Sequence, residues 1–147
     1  MLKLLLSGKL DLSVLHGDGS LTAAKKGGDN IGYSGHKHFK GEKIIAICDR
    51  NCNVIAPFVR APGNKNESPL LPKAFGELKR VIKSIGATII GSIMSFDGVY
   101  DSKQNRKIIF NSKMTPNIPE NKRNRKTLKP GPARKFSQKI LKKDSAQ

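Results

Sequence analysis

The stretch SIMSFDGVYDSKQNRK, residues 92–107, joins an apolar segment to an Asp-Gly pair and then to a polar segment. The apolar run extends over residues 87–96, and a strand that is apolar on both faces is typical of the buried centre of a sheet. Asp101 or Ser102 would cap a helix that follows, residues 102–112. The stretch therefore predicts a central strand that ends at the Asp-Gly pair and leads into a helix.

A second Asp-Gly pair follows an apolar segment in DLSVLHGDGSLTAAKK, residues 11–26. Its first part, residues 12–18, predicts another strand that breaks at Asp18. Asp-Gly is among the commonest turn pairs, because glycine accepts positive φ and aspartate bonds its own backbone, so either pair alone is more simply a turn. If the two strands are parallel neighbours, however, Asp18 and Asp97 emerge at the same edge of the sheet.

Two carboxylates at one sheet edge would repel each other, and a divalent cation removes that cost. Mg²⁺ or Mn²⁺ suits such oxygen ligands, keeps several waters and accepts phosphate oxygens as well. Paired ions of this kind activate the attacking oxygen and stabilise the leaving oxygen in phosphodiester chemistry. Asp18 and Asp97 are therefore candidate metal ligands of a phosphotransfer site.

The middle of the chain predicts an antiparallel hairpin and a long helix. Strands over residues 42–51 and 54–61 are separated by turn residues at hairpin spacing. Ser68 and Pro69 form a typical helix start, and Gly86 a typical helix end. The apolar side of this helix contains Ala74, Phe75, Leu78, Val81, Ile82 and Ile85.

The predicted order is strand, strand, strand, helix, strand, helix, a short strand over residues 115–119, and a basic tail. This order predicts an α/β domain with a mixed sheet, in which an antiparallel meander is followed by a parallel strand and helices flank the sheet. The domain would occupy residues 1–120. Residues 121–147 contain ten Lys or Arg, one acid and few apolar residues, so they are predicted to form a flexible tail.

The charge of the chain indicates its class of partner. A net charge of +17 on 147 residues favours a polyanion, either nucleic acid or an anionic membrane. No apolar stretch reaches the roughly 20 residues of a membrane span, and the N-terminal apolar run is too short for a signal peptide. We therefore expect a cytoplasmic, nucleic-acid-binding protein; the alternative is a basic protein whose charge has no specific partner. Candidates for phosphate contacts are Lys122, Arg123, Arg125 and Lys126, unless they form a merely solvated charge run.

The two cysteines allow two interpretations. Cys48 and Cys52 could form a zinc site with His36 and His38 upstream. The C-x3-C spacing does not match the usual zinc knuckle, and DRN between the cysteines is typical of a hairpin turn. Structural cysteines are therefore favoured over zinc ligands.

Several spaced motifs resemble the catalytic domain of bacterial insertion-sequence DDE transposases. They are LHGDGS, KKGGDNIGYSGHKHFKGEKIIAICDRNCNVIAPFVRAPGNKNES, SFDGVYDSKQNRKIIFN and PNIPENKRNRKT, and the resemblance extends from about residue 10 to residue 136. It implies a ribonuclease H-like fold, in which Asp18 and Asp97 match the first two catalytic acids and bind Mg²⁺ (or Mn²⁺). It also implies cleavage at a transposon end followed by attack of the freed 3′-hydroxyl on target DNA. DNA as partner, a homo-oligomer of the full-length form and a nucleoid-associated place in the bacterial cytoplasm follow from the same resemblance.

The third acid of the family is missing from this pattern. Family members carry a glutamate on a later helix, but no glutamate follows Glu120, which matches a loop before that helix. Asp144 lies in an ending that does not resemble the family. We therefore expect a truncated transposase fragment with little or no strand transfer by itself. The alternatives are a non-catalytic basic nucleic-acid-binding protein and a nuclease with a different third acid.

Overall fold

A computed structural model describes residues 3, 7–24, 31–121 and 134–142. In these ranges the strands are β1 (Val14–Ala23), β2 (Gly32–Ser34), β3 (Phe39–Cys48), β4 (Val59–Pro62), β5 (Ile93–Ser95) and β6 (Thr115–Asn117). The α-helices with defined bounds are α1 (Leu71–Ser84), α2 (Lys103–Asn111) and α3 (Gln138–Lys142). Short 3₁₀ turns, Ser68–Leu70 and Gly98–Tyr100, precede α1 and α2.

The strands form one mixed sheet in the order β2-β3-β1-β5-β6, and β4 also pairs with β3. The pairs β1/β3, β2/β3 and β3/β4 are antiparallel. The pairs β1/β5 and β5/β6 are parallel. The prediction of an antiparallel meander followed by a parallel strand is therefore confirmed, with β6 as a second parallel strand.

Strand β1 differs from the prediction in its length. It does not break at Asp18 but continues to Ala23, because antiparallel pairing with β3 runs on through Asp18↔Ala46 to Ala23↔Gly41. Only its first part also pairs with β5, and that parallel pairing ends at His16↔Ser95. Asp18 thus lies inside a strand, two residues beyond the point where its parallel neighbour stops.

Helix α1 has the predicted apolar face and a slightly later start. Ser68 opens a 3₁₀ turn rather than capping the helix, and its hydroxyl accepts a hydrogen bond from Asn105 Nδ2 at 2.9 Å. Gly86, with φ of 68°, follows the helix end as predicted. Four residues of the predicted apolar face are buried, whereas Val81 and Ile85 are half-buried; the buried ones are Ala74, Phe75, Leu78 and Ile82.

The predicted central strand over residues 87–96 is too long. Strand β5 covers Ile93–Ser95 alone. The residues before it form a turn, in which Ser92 N donates to Ile89 O at 3.1 Å and Gly91 has φ of 82°. Ile89 is nevertheless buried. The apolar run therefore indicates residues that lie in the core, and these can belong to a turn as well as to a strand. The helix after it is confirmed: Ser102 caps α2, and its hydroxyl accepts from Asn105 N at 3.0 Å.

The main hydrophobic core lies between one face of the sheet and helices α1 and α2. Because side chains alternate along a strand, Leu15, Ile45 and Met94 enter this core while their neighbours face the other way. Helix α3 lies on that other face, where it lines a cavity with strand residues Val14 and Ile93. The described helices include none that is long and apolar enough to cross a membrane.

Part of the predicted tail is attached to the sheet. Ser137 N donates to Asn117 Oδ1 at 2.8 Å, and Asn117 Nδ2 donates to Ser137 O at 3.2 Å. Arg134 forms an ion pair with Asp101 at 3.2 Å. Residues 134–142 are therefore held against the domain, while the boundary at residue 120 stays a prediction.

Candidate active site

Asp18 and Asp97 lie at one end of the parallel strand pair. His16 and Ser95 are register partners, and each aspartate follows two residues later. Both carboxylates are exposed and open into the same cavity of about 430 Å³. The cavity is lined by His16, Gly17, Asp18, Cys48, Cys52, Ser95, Asp97 and Leu141. The structure thus brings together the two acids that the sequence singled out.

Each carboxylate is oriented by a backbone N–H. Asp18 Oδ1 accepts from Gly19 N at 2.8 Å. Asp97 is the N-cap of the turn Gly98–Tyr100, and its Oδ1 accepts from Val99 N at 2.8 Å. Asp97 both caps a turn and exposes its carboxylate, so the two hypotheses drawn from the sequence do not exclude each other at this residue. Asp18 is exposed as well, but it lies inside β1 and does not form a turn.

The surroundings of Asp18 disfavour its ionised form. Although Asp18 is exposed, partial desolvation raises its pKa, and the hydrogen bond from Gly19 N opposes that rise. The negative charges of Asp97 and Glu67 raise the pKa further, and Lys37 lowers it only in part. Neighbouring carboxylates disfavour the ionised form of an acid, and a positive ion bound beside the acid stabilises that ionised form.

Glu67 is a neighbour of the site that the sequence analysis missed. Its Oε2 accepts a hydrogen bond from the Tyr100 hydroxyl at 3.1 Å, and its Oε1 lies 3.5 Å from Lys43 Nζ. A Cβ placed on Gly19 would overlap the Glu67 carboxylate, so Glu67 packs directly against β1. Gly19 and Asp18 face opposite sides of the sheet, and Glu67 therefore lies behind the cavity rather than in its wall. No local pattern in residues 62–67 indicated this long-range contact.

The carboxylates of Asp18 and Asp97 fit a hard divalent cation, with further coordination positions left for water or substrate. In the described ranges no group of three or more His, Cys, Asp or Glu side chains is arranged to hold a metal ion. Mg²⁺ is commonly bound through one or two carboxylates, with waters and substrate phosphates completing its octahedron. Asp18 and Asp97 together match that requirement, and the described residues supply no third acid to the cavity.

Cys48 and Cys52 line the same cavity as the two aspartates, whereas the remaining predicted residues have other positions. Cys48 ends β3, and Cys52 lies in the turn closed by the bond from Asp49 N to Asn53 O at 3.0 Å, which confirms the hairpin turn. The upstream residues His36 and His38 are exposed in the connection between β2 and β3. The proposed DNA contacts lie outside the described residues; they are Lys122, Arg123, Arg125 and Lys126.

Comparisons with known proteins support the fold. No family model and no curated protein matches the chain. Among solved structures, piggyBac transposase in a synaptic complex with hairpin DNA matches with a TM-score of 0.55 and 18% identity, over 79% of this chain and 24% of that one. Mos1 transposase in a paired-end complex with its left transposon end matches at 0.49 and 13%, over 78% and 39%, a score too low to support an argument. The chain thus has a transposase-like fold, and it spans about a quarter of the piggyBac chain.

Proposed function

We propose that this chain is the catalytic domain of a DDE-type DNA transposase with a ribonuclease H-like fold, related to those of bacterial insertion sequences. The single observation that carries the proposal is the convergence of Asp18 and Asp97 in one cavity. They come from distant parts of the chain and meet because β1 and β5 are parallel neighbours. The transposase-like fold supports the same conclusion independently.

The topology supports the ribonuclease H-like assignment. An antiparallel meander is attached to one side of β1, and two parallel strands are attached to the other side. In such a sheet β1 is central, and the carboxyl end of its parallel neighbour β5 lies next to β1. Ligand and substrate sites of α/β sheets are common at the carboxyl ends of parallel strands.

The chemistry follows from the carboxylates and their supports. When bound, Mg²⁺ or Mn²⁺ would activate the attacking oxygen and stabilise the leaving oxygen of a phosphodiester. Asp18 and Asp97 would hold the ion, and the N–H groups of Gly19 and Val99 would keep their carboxylates oriented. The described residues supply two acidic ligands to the cavity. With these two alone we expect weak strand transfer, because a misplacement of about 1 Å can cost on the order of a hundredfold in rate.

DNA is the proposed partner, as transposon end and as target. The net charge of +17 supports sequence-independent attraction to phosphates, and the matched piggyBac structure is a complex with hairpin DNA. Oligomerisation of the full-length protein and a place in the bacterial cytoplasm, near the nucleoid, belong to the same proposal.

Mn²⁺ binding tests the proposed site. Titration calorimetry would compare the parent with Asp18→Asn and Asp97→Asn. Glu77→Gln is the matched control, because Glu77 is a carboxylate on α1 that pairs with Arg80 and does not line the cavity. We expect both site variants to lose at least about tenfold in Mn²⁺ affinity, as is usual when a ligand or its support is removed, and the control to retain it. Parental affinity in both site variants would refute the shared site.

DNA assays separate the proposal from the non-catalytic alternative. We expect Mn²⁺-dependent nicking of supercoiled DNA by the parent at a low rate, and none by Asp97→Asn. DNA binding itself should weaken steeply as salt rises. Binding that is salt-dependent and unaffected by both aspartate variants, without any nicking, would favour a nucleic-acid-binding protein without chemistry.

A further inference from the structure

We propose that Glu67 and Tyr100 form a positioning pair that sets the separation of Asp18 and Asp97 from the far side of the sheet. The inference rests on the proposed function, since it concerns the geometry of the same two carboxylates. Neither residue lines the cavity, so their role would be to hold the ligands and not to bind the ion.

The segment that carries Asp97 needs a support other than the sheet ladder. Parallel pairing between β1 and β5 ends at His16↔Ser95, before either aspartate is reached. Phe96 N donates to Asn117 O at 3.3 Å, which links this segment to the β6 side and not to β1. The position of Asp97 relative to Asp18 therefore depends on side-chain packing.

Two glycines on β1 make room for that packing. Gly17 and Gly19 flank Asp18 and face the opposite side of the sheet. A Cβ at Gly17 would overlap the Phe96 ring, and a Cβ at Gly19 would overlap Glu67 and lie 2.9 Å from the Tyr100 hydroxyl. The sequence Gly-Asp-Gly thus places a carboxylate on one face and leaves the other face open to Phe96, Glu67 and Tyr100.

Tyr100 connects this packing to Asp97. Asp97 and Tyr100 are the two ends of one 3₁₀ turn, in which Tyr100 N donates to Asp97 O at 3.2 Å. The Tyr100 ring is fully buried and lies 4.7 Å from the Phe96 ring, centroid to centroid. A displacement of the Tyr100 ring would therefore be transmitted through one short turn to the Asp97 carboxylate.

Glu67 holds the Tyr100 hydroxyl in place against β1. Its carboxylate accepts from that hydroxyl at 3.1 Å. Lys43 on β3 lies 3.5 Å from Glu67 and donates to Lys65 O at 2.8 Å, which anchors the loop that carries Glu67. The pair thus touches β1 at Gly19, the residue whose N–H orients Asp18, and holds the turn that begins at Asp97.

Conservative variants test the pair. Tyr100→Phe removes the hydroxyl and keeps the ring, while Glu67→Ala removes its acceptor and Glu67→Gln keeps an acceptor of the same length. Loss of a group that orients a metal ligand typically costs about 10- to 100-fold in affinity. We expect Tyr100→Phe and Glu67→Ala to lose about tenfold in Mn²⁺ affinity, and Glu67→Gln to stay within about threefold of the parent because the hydrogen bond is retained.

A double variant and a folding control complete the experiment. Because the two residues act through one contact, Tyr100→Phe combined with Glu67→Ala should bind Mn²⁺ no more weakly than the worse single variant. Thermal unfolding by circular dichroism would show which variants are folded, and Tyr100→Phe alone decides the matter if Glu67→Ala does not fold. Parental Mn²⁺ affinity in folded Tyr100→Phe, or additive losses in the double variant, would overturn the positioning role.

The outcome can be separated from that of the proposed function. If the parent does not bind Mn²⁺, or Asp18→Asn binds it as the parent does, the metal site itself is wrong. If the aspartate variants lose Mn²⁺ while folded Tyr100→Phe and Glu67→Ala retain parental affinity, only the positioning pair is wrong.

Discussion

Asp97 and Asp101 lie four residues apart in the same motif and have opposite environments. Asp97 is exposed in the cavity beside Asp18. The Asp101 side chain is only 4% exposed and accepts hydrogen bonds from Arg106 Nε at 2.8 Å and from Asn121 N at 2.8 Å. Asp101 is neutralised by arginines and stabilises the fold, whereas Asp97 lines the cavity, where a ligand can reach it.

The pKa values express the same contrast. Burial by itself would raise the pKa of Asp101, but the Asn121 N–H and the guanidinium groups of Arg106 and Arg134 lower it below its usual value. For Asp18, burial raises the pKa and the neighbouring carboxylates add to the rise. The sequence predicted Asp101 or Ser102 as the helix cap; the structure gives the cap to Ser102 and makes Asp101 an anchor for α2 and residue 134.

The largest expected effect is the loss of the Asp101 anchor. Asp101→Ala leaves Arg106, whose side chain is 11% exposed, without its buried carboxylate partner, and breaking such a pair costs about 3–5 kcal/mol. Asp97→Asn keeps an oxygen acceptor for Val99 N and should change the free energy of unfolding by less than about 1 kcal/mol. Urea unfolding of both variants measures this difference, and equal losses would contradict the contrast between the two acids.

The next effect concerns the packing behind the cavity. Gly17→Ala places a methyl group against the Phe96 ring, and overpacking of this kind costs about 1–3 kcal/mol. Gly76→Ala is the matched control, because Gly76 is exposed within α1 and a Cβ there meets nothing within 4 Å. We expect the control to stabilise the protein by about 0.5–1 kcal/mol. Thermal unfolding of the two variants would show opposite shifts; a stabilising Gly17→Ala would argue against the tight contact.

The pH dependence of stability should identify Asp101. Its folded pKa is lowered, so its contribution is fully present above its unfolded pKa of about 3.9 and is lost as the pH falls through the folded pKa. The difference in unfolding free energy between the parent and Asp101→Asn should therefore be large at pH 7 and shrink in acid. A difference that stays constant down to acidic pH would mean that the anchor does not depend on its charge.

The smallest expected effect concerns Asp18 without metal. Asp18→Asn removes a repulsion with Asp97 and Glu67, and because Asp18 is exposed, solvent screening keeps the gain in stability small. Added Mn²⁺ should reverse the ranking. At 100 times the parental dissociation constant, Mn²⁺ stabilises the parent by about 2.7 kcal/mol, whereas a variant with at least tenfold weaker affinity, such as Asp18→Asn, gains at most about 1.4 kcal/mol. Melting curves with Mn²⁺ and with a chelator provide the measurement. Equal Mn²⁺ stabilisation of both proteins would place the ion elsewhere.

Local patterns predicted the elements that depend on neighbouring residues. The periodic apolar face of α1, the Ser102 cap and the turn between Cys48 and Cys52 all depend on residues close in the chain. Burial alone did not distinguish a strand from a turn around Ile89, so β5 was predicted too long. The Asp-Gly pair at Asp18 predicted the end of a strand, because local turn preference does not show which strand pairs with β1. Pairing with β3 extends β1 beyond Asp18 to Ala23.

The amino-acid sequence alone determined the mixed α/β order, the basic character and the choice of Asp18 and Asp97, because apolar period, capping residues and charge are properties of short segments. Only the tertiary structure decided that the two acids share a cavity, that Asp101 is buried between arginines, and that Glu67 accepts a hydrogen bond from Tyr100 on the opposite face of the sheet. These contacts join residues that are distant in the chain, and their positions follow from strand register and packing, which no local pattern specifies.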